Sequence, residues 1–171
     1  AMGSVVKPQD RQKGESRKAG EKVLSMPARR GEGLAFEAFR GEIIGLAGLG
    51  GHGQTEALLD LYLARNSSWL PTRKTDIAFV AGDRSLNGTF PLWSILKNLS
   101  IASLRDISSA GIVDRSKESE LGAQWKKRIE IRTPDMGNRI LSLSGGNQQK
   151  VLFARALATT ASTVLMDDPM R

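Results

Sequence analysis

The chain has 171 residues, of which 40% are hydrophobic, and this size and composition fit one compact domain with an apolar core. No apolar stretch approaches the roughly 20 residues that a membrane-spanning helix needs. The absence of cysteine excludes disulfide bonds and thiolate metal sites. The formal net charge is +7, and the first 30 residues hold eight basic but only three acidic side chains.

Residues 1–22 show no apolar periodicity beyond Val5 and Val6. Their start, Ala1-Met2-Gly3-Ser4, is typical of an expression scar. The remainder has the composition of a flexible, basic linker. The alternative is an arm that follows a phosphate backbone, but single-strand binding uses aromatic side chains between the charges, and this segment has none. We therefore predict a solvated linker and expect no nucleic-acid partner.

Residues 23–171 alternate between strand and helix patterns. Strands are predicted over residues 23–26, 34–39, 42–47, 76–81 and 163–166, and helices over residues 55–64, 93–104, 116–131 and 145–159. The run 42–47 is almost continuously apolar, which predicts a buried strand. Strands separated by helices indicate an α/β fold with a mainly parallel sheet.

A glycine-rich loop, Gly48-Leu49-Gly50-Gly51-His52-Gly53-Gln54-Thr55, lies between a predicted strand and a predicted helix. It fits the dinucleotide pattern G-x-G-x-x-G and also the P-loop pattern G-x-x-x-x-G-K-[ST], in which Gln54 replaces the lysine. In both patterns glycines let backbone N–H groups approach phosphate oxygens at the positive end of a helix. The third interpretation is a tight turn that binds nothing.

The acidic residues farther along the chain favour the P-loop. A dinucleotide site needs an acidic residue at the end of the next strand, about 20 residues on. Here Asp76 stands at the start of that strand and not at its end, and Asp83 comes about 30 residues after the loop, beyond the spacing of that fingerprint. A P-loop site instead needs a later strand that ends in an acidic residue for magnesium, and Asp167 and Asp168 follow the strand 163–166.

Between these two motifs lies Leu143-Ser144-Gly145-Gly146-Asn147-Gln148-Gln149-Lys150, followed by Ala154-Arg155-Ala156-Leu157. This segment resembles the signature loop of ABC transporter ATPases, in the variant found in the second ATPase half of ribose-, xylose- and galactose-type sugar importers. The order of P-loop, signature and acidic strand is similar as well. The segment Gly82-Asp83-Arg84, followed by Gly88, Ser94 and Asn98, also resembles the segment in which those second halves replace the usual glutamine loop. The resemblance runs from about residue 23 to residue 171.

The resemblance implies an α/β P-loop NTPase fold with an ABC-ATPase-like core, a small antiparallel β layer and a helical insertion over about residues 85–138, truncated at its C-terminus. It implies Mg²⁺ held by Thr55 and Asp167, and a weakened catalytic carboxylate at Asp168. ATP would be held by the loop and the start of the next helix, namely Gly48, Gly50, Gly51, His52, Gly53, Gln54, Thr55 and Glu56, although His52 also fits a solvent-facing filler. The partner domain's ATP would meet the signature residues Ser144, Gly145, Gly146, Asn147 and Gln148.

Several residues depart from the family pattern. Gln54 removes the positive charge at the β- and γ-phosphates, and Asp168 is one methylene shorter than the usual glutamate. Gly82 falls near the position of a glutamine that contacts magnesium and water, and residues 23–26 contain no aromatic side chain to stack on adenine. The chain also ends before the family's late histidine. We therefore expect a fragment of a longer protein that binds Mg-ATP but hydrolyses it poorly.

The expected partners are a first ABC domain, in the same chain or in a dimer, transmembrane permease subunits, and indirectly a sugar-binding protein. The expected location is cytoplasmic, on the inner face of the cell membrane. Residues 86–104 contain Phe90 and Trp93 among few polar neighbours. This composition fits either a contact surface for the membrane subunit or the apolar core of the helical subdomain. Two other functions stay open: a structural half that binds no nucleotide, and a soluble ABC ATPase that acts on DNA or ribosomes.

Overall fold

The computed structural model describes residues 20–26, 36–47, 53–66, 76–83 and 88–168. The chain divides into two compact units, residues 1–44 and residues 45–171. None of the helices in the described ranges combines the length and the apolar character needed to cross a bilayer. The predicted linker over residues 1–22 lies almost wholly outside the described residues.

The first unit contains a two-stranded antiparallel sheet. Strand β1 (Lys22–Met26) pairs with strand β2 (Phe36–Phe39), and the register is irregular between Lys22 and Leu24. The Leu24 side chain is buried, whereas the ion pair between Lys22 and Glu37 is exposed and contributes little to stability. Both predicted strands are confirmed in the part of the chain that the structure describes.

The predicted buried strand over residues 42–47 is wrong. These residues form no strand, and the side chain of Ile43 is 99% exposed. A backbone turn from Phe39 to Glu42 precedes them, with Gly41 in the left-handed region at a φ of 81°. An apolar run becomes a buried strand only where neighbouring strands supply hydrogen bonds, and no strand in the described ranges pairs with this segment.

The second unit contains five helices and four strands among its described residues. The helices are α1 (Gln54–Asn66), α2 (Ile95–Ser100), α3 (Leu104–Ile107), α4 (Arg115–Arg128) and α5 (Gly145–Leu157), and the strands are β3 (Ile77–Val80), β4 (Ser108–Ser109), β5 (Ile112–Val113) and β6 (Thr163–Met166). The helices predicted over residues 55–64, 116–131 and 145–159 and the strands predicted over residues 76–81 and 163–166 are thereby confirmed, with small differences at their ends. The helix predicted over residues 93–104 is instead divided into α2, a 3-10 turn (Ile101–Ser103) and α3, and the short strands β4 and β5 were not predicted.

Strands β3 and β6 form a parallel pair between two helices. Successive side chains of a strand point to opposite faces of the sheet. Phe79 of β3 packs against Tyr62 of α1, with ring centroids 5.5 Å apart. The neighbouring β3 residues Ala78 and Val80 instead cluster with Leu152 and Ala156 of α5, because they face the other side. Helices α1 and α5 therefore cover opposite faces of this sheet.

A second hydrophobic cluster lies among the helices. It contains Ile95, Leu99, Trp125, Ile131, Ile140, Leu143, Val151 and Ala154. Two polar side chains fix the helix starts around it: Ser94 accepts a hydrogen bond from Lys97 N at the start of α2, and Asp114 accepts from Ser116 N at the start of α4. Helix α5 contributes to both clusters, so it joins the sheet to the helical region.

We expect Leu99→Ala to destabilise the chain because Leu99 is fully buried in the helical cluster. Removing its side chain leaves a cavity, which costs about 2–5 kcal/mol of unfolding free energy. Urea unfolding followed by circular dichroism measures the change. Leu141→Ala is the matched control, because Leu141 is 60% exposed and should change stability by no more than about 0.5 kcal/mol. Equal losses in the two variants would contradict the assignment of this core.

Candidate functional site

The amino end of α1 carries the last part of the glycine-rich loop. Gly53 has a φ of 88°, a conformation that glycine adopts without strain, and its carbonyl oxygen accepts the first helical hydrogen bond from Ala57 N. Thr55 and Glu56 follow in the first turn, where both are exposed. Gly48, Gly50, Gly51 and His52 lie outside the described residues. The described part therefore shows a helix start with exposed polar side chains.

Thr55 and Asp167, 112 residues apart in the chain, meet at the end of the sheet. The Thr55 hydroxyl donates a hydrogen bond to Asp167 Oδ1 at 2.9 Å. Asp167 directly follows β6, and its backbone N–H bonds to the Val80 carbonyl oxygen at 3.0 Å, which continues the strand pairing. This places the carboxylate at the carboxyl edge of the parallel pair.

These two side chains fit a magnesium ion chemically. Mg²⁺ prefers hard oxygen ligands, and it is commonly held by one or two carboxylates together with phosphate oxygens of the substrate. Thr55 offers a hydroxyl oxygen and Asp167 a carboxylate on neighbouring elements. The sequence motifs predicted this pair without any information about the distance between them.

Gly82 lies against the same carboxylate. A Cβ atom on Gly82 would stand 3.0 Å from Asp167 Oδ2 and 3.1 Å from the Asp167 carbonyl oxygen. Only a residue without a side chain leaves this much room, so Gly82 permits the present position of Asp167. The next residue, Asp168, is exposed and has a φ of 37°, a region where aspartate is enriched.

The signature residues form the amino end of α5. Ser144 is the N-cap residue, but its side chain makes no capping bond to the helix. Instead its oxygen accepts a hydrogen bond from Asn147 Nδ2 at 3.1 Å, which leaves the hydroxyl proton free to be donated outward. A Cβ atom on Gly146 would meet nothing within 4 Å. The helix start is therefore open, with backbone N–H groups at the positive end of a helix dipole.

Hydrogen bonds from neighbouring residues hold this helix start in place. Asn147 Oδ1 accepts from Arg132 N at 3.0 Å, and Gln148 Nε2 donates to the Leu143 carbonyl oxygen at 3.0 Å. Asn147 and Gln148, predicted to contact nucleotide, thus use at least part of their amide groups inside this chain. The signature amides that remain for a ligand are mainly those of the backbone.

The sequence motifs assigned no role to two buried polar residues, Asn98 and Gln149. Asn98 is fully buried and bonds to Arg155 of α5. Gln149 is also buried, and neither of its amide atoms has a hydrogen-bond partner in the described part of the chain. The available signal was their position: each is a polar residue in an apolar helical pattern. Pattern alone does not say which partner such a residue finds.

The fold and the site define a class of protein. A parallel strand pair between two helices, with a threonine–aspartate pair at the carboxyl edge, is the arrangement of an α/β P-loop nucleotide-binding domain. The family model described as ABC transporter matches residues 32–171. The chain belongs to the ABC transporter family.

Curated relatives are sugar import proteins. The ribose import ATP-binding protein RbsA of Rhodopirellula baltica is 34% identical over 168 residues, which cover 86% of this chain and 33% of the relative. The arabinose import ATP-binding protein AraG 2 of Burkholderia thailandensis is 37% identical over 175 residues, covering 91% of this chain and 33% of the relative. The chain thus spans about a third of the length of these relatives.

A solved structure shows the same fold. The chain aligns with an inward-facing ABC transporter assigned to the metal-chelate type, with a TM-score of 0.62 and 23% identity. The alignment covers 87% of this chain and 60% of that one. At this identity the likeness supports the ABC ATPase fold and nothing finer.

We expect Gly82→Ala to lower the affinity for ATP in the presence of Mg²⁺ but not in its absence, because the new methyl group displaces the Asp167 carboxylate from Thr55. Loss of one hydrogen-bonded ligand position, worth about 1 kcal/mol, corresponds to roughly fivefold weaker affinity. Isothermal titration with and without Mg²⁺ measures the effect.

Gly137→Ala is the matched control, since its Cβ would crowd a different aspartate, Asp135, at 3.1 Å. It should leave the affinity unchanged. The site assignment fails if both variants bind Mg-ATP as the parent chain does.

Proposed function

We propose that this chain is a nucleotide-binding domain of an ABC-type sugar importer. It binds ATP with Mg²⁺ at a degenerate P-loop, and it donates its signature to the ATP site of a partner domain. Hydrolysis in the full assembly powers sugar uptake. The observation that carries the proposal is the hydrogen bond of 2.9 Å between Thr55 and Asp167, because it joins the two motifs that hold magnesium in P-loop ATPases.

The open start of α5 supports the trans role of the signature. Backbone N–H groups at a helix N-terminus attract phosphate, and Ser144 adds a hydroxyl that makes no capping bond to the helix and only accepts, from Asn147 Nδ2. Apart from the helix's own backbone and the neighbouring residues, no atom of the described residues lies within 4 Å of a Cβ placed on Gly146. Another domain that carries a bound nucleotide can therefore approach without displacing a side chain.

The chain's own site is weakened for catalysis. Gln54 lacks the charge of a lysine, and Asp168 is shorter than a glutamate by one methylene. A displacement of about 1 Å in a catalytic group can slow a reaction by about a hundredfold. We therefore assign to this site nucleotide binding with slow hydrolysis, while the partner site carries most of the turnover.

Sugar import is proposed from the relatives, whose names specify ribose and arabinose import. The partners would be a first ABC domain, in the same chain or in a dimer, permease subunits, and indirectly a sugar-binding protein. The domain would work in the cytoplasm on the inner face of the membrane, without nucleic acid. Phe90, Leu92 and Trp93 form an exposed apolar patch, the Phe90–Trp93 patch, suited to contact with a permease.

Two alternatives remain distinguishable by binding measurements. A structural half that binds no nucleotide would show no heat on ATP titration. A soluble ABC ATPase acting on DNA or ribosomes would bind duplex DNA with an affinity that falls steeply with salt. The import relatives argue against the second alternative.

We expect Gln54→Lys to tighten Mg-ATP binding, because it restores a positive charge at the phosphates. A charged hydrogen bond exceeds a neutral one by about 1–2 kcal/mol, which corresponds to roughly tenfold in Kd. The control is Gln124→Lys, which adds the same charge at an exposed position of α4. An unchanged Kd in a folded Gln54→Lys variant would point to a loop that binds nothing.

We expect Gly146→Asp, in the full-length transporter, to abolish ATP hydrolysis at the partner site. The new carboxylate places bulk and negative charge where phosphate must approach. Binding of nucleotide at this domain's own P-loop should change little. Turnover and transport are measured together, and Gly146→Ala separates bulk from charge. Normal hydrolysis by the aspartate variant would rule out the trans role of the signature.

A further inference from the structure

Arg155 lies half-buried on α5 and makes several hydrogen bonds to one neighbouring segment. Its Nε donates to the Asn98 carbonyl oxygen at 2.5 Å, and its Nη1 donates to the Gly88 carbonyl oxygen at 2.6 Å. Its Nη2 donates to Asn98 Oδ1 at 3.0 Å, and its guanidinium carbon lies 5.6 Å from the centre of the Phe90 ring. One side chain therefore ties α5 to both ends of the segment from Gly88 to Asn98.

Asn98 holds the same segment from the inside. Its Oδ1 accepts from Phe90 N at 2.8 Å, and its Nδ2 donates to the carbonyl oxygens of Phe90 and Ser94 at 2.9 and 3.0 Å. Asn98 is fully buried, so these bonds are protected from water and strengthened by the low local dielectric constant. The backbone between Phe90 and Ser94 is thereby fixed at both of its ends.

The outer side of this segment carries the Phe90–Trp93 patch. The rings of Phe90 and Trp93 stack with centroids 4.6 Å apart, and Leu92 between them is 78% exposed. The inner side of the segment meets Arg155 and Asn98. A protein that docks on the patch therefore presses on a backbone whose position is set by hydrogen bonds to α5.

Helix α5 also carries the signature at its amino end. Arg155 follows Gly145 by ten residues, which corresponds to about 15 Å along a continuous helix. A helix of this length moves as a rigid rod, so a shift of its carboxyl half changes the position of Ser144 and Gly146. Helix α5 therefore connects the backbone behind the patch to the signature.

The chemistry of Arg155 favours a positioning role over simple space filling. Burial lowers its pKa to about 10, so the side chain stays charged at neutral pH although its surroundings disfavour the charge. No acidic side chain in the described part of the chain forms a salt bridge with it. Its planar guanidinium group instead donates hydrogen bonds to three oxygen atoms, the carbonyl oxygens of Asn98 and Gly88 and Asn98 Oδ1. The ammonium group of a lysine does not reproduce this geometry.

We propose that Arg155 is a positioning residue that fixes the signature helix relative to the Phe90–Trp93 patch, so that docking on the patch sets the position of Ser144 and Gly146 at the partner's nucleotide. This inference rests on the proposed function, in which a permease docks on the patch. In this proposal Arg155 makes no contact with the nucleotide or the permease. It acts through Asn98 and the backbone of residues 88–94.

The test uses the full-length transporter reconstituted in liposomes, with ATP hydrolysis measured with and without the transported sugar and its binding protein. Arg155→Lys should lower the stimulation of hydrolysis by about tenfold, within the range of coupling between distant sites. ATP affinity and co-purification with the permease should stay within about twofold of the parent, which a general loss of folding would not allow. Arg128→Lys is the matched control, because Arg128 also covers an aromatic ring, at 4.8 Å from Trp125, but is exposed.

Two further variants separate the possible failures. Leu92→Glu should abolish co-purification with the permease, and its failure to do so would overturn the docking surface and with it this inference, whereas the proposed function itself fails only if the parent chain binds no Mg-ATP. If Leu92→Glu acts as expected and Arg155→Lys keeps full stimulation, the positioning role is wrong. If Arg155→Lys does not fold, Asn98→Asp replaces it, because it keeps an acceptor for Arg155 while removing the donor to Phe90 and Ser94. Full stimulation in that variant also overturns the inference.

Discussion

The double burial of helix α5 is the constraint on which the rest of the second unit depends. Leu152 and Ala156 pack against the parallel strands, while Val151 and Ala154 pack into the helical cluster. Adjacent positions on one helix thus serve two cores, as expected from a helical repeat of about 3.6 residues that points consecutive side chains in different directions. The signature at the start of this helix is held relative to both cores at once.

The sequence predicted most elements of the second unit because each prediction rested on local apolar spacing. Helical spacing matches α1, α4 and α5, and the buried strands predicted over residues 76–81 and 163–166 match β3 and β6. The strand over residues 42–47 failed for a different reason. Its apolar residues satisfy the pattern of a buried strand, but burial depends on neighbours that are distant in sequence, and Ile43 is left exposed. No local pattern contains that information.

The candidate site also contains features that the motifs predicted and features that they did not. The meeting of Thr55 with Asp167 was expected from the resemblance, because P-loop ATPases hold magnesium between these two motifs. The hydrogen bonds between Arg155 and Asn98 did not follow, because a motif records residue types and not the direction of a side chain. Gln149 shows the same limit, since the sequence gives no sign that a buried amide lacks partners in the described residues.

The two proposed nucleotide sites place different demands on this chain. A signature needs backbone N–H groups and one hydroxyl, and both are supplied as soon as α5 folds with Ser144 at its start. Catalysis at the chain's own P-loop would need individual side chains at positions accurate to about 1 Å, and Gln54 and Asp168 differ in residue type from the family pattern. Substitutions in the P-loop can therefore accumulate without harm to the signature, whose geometry is protected by the packing of two cores. We propose that a domain of this kind stays useful to its partner when its own catalysis is weak.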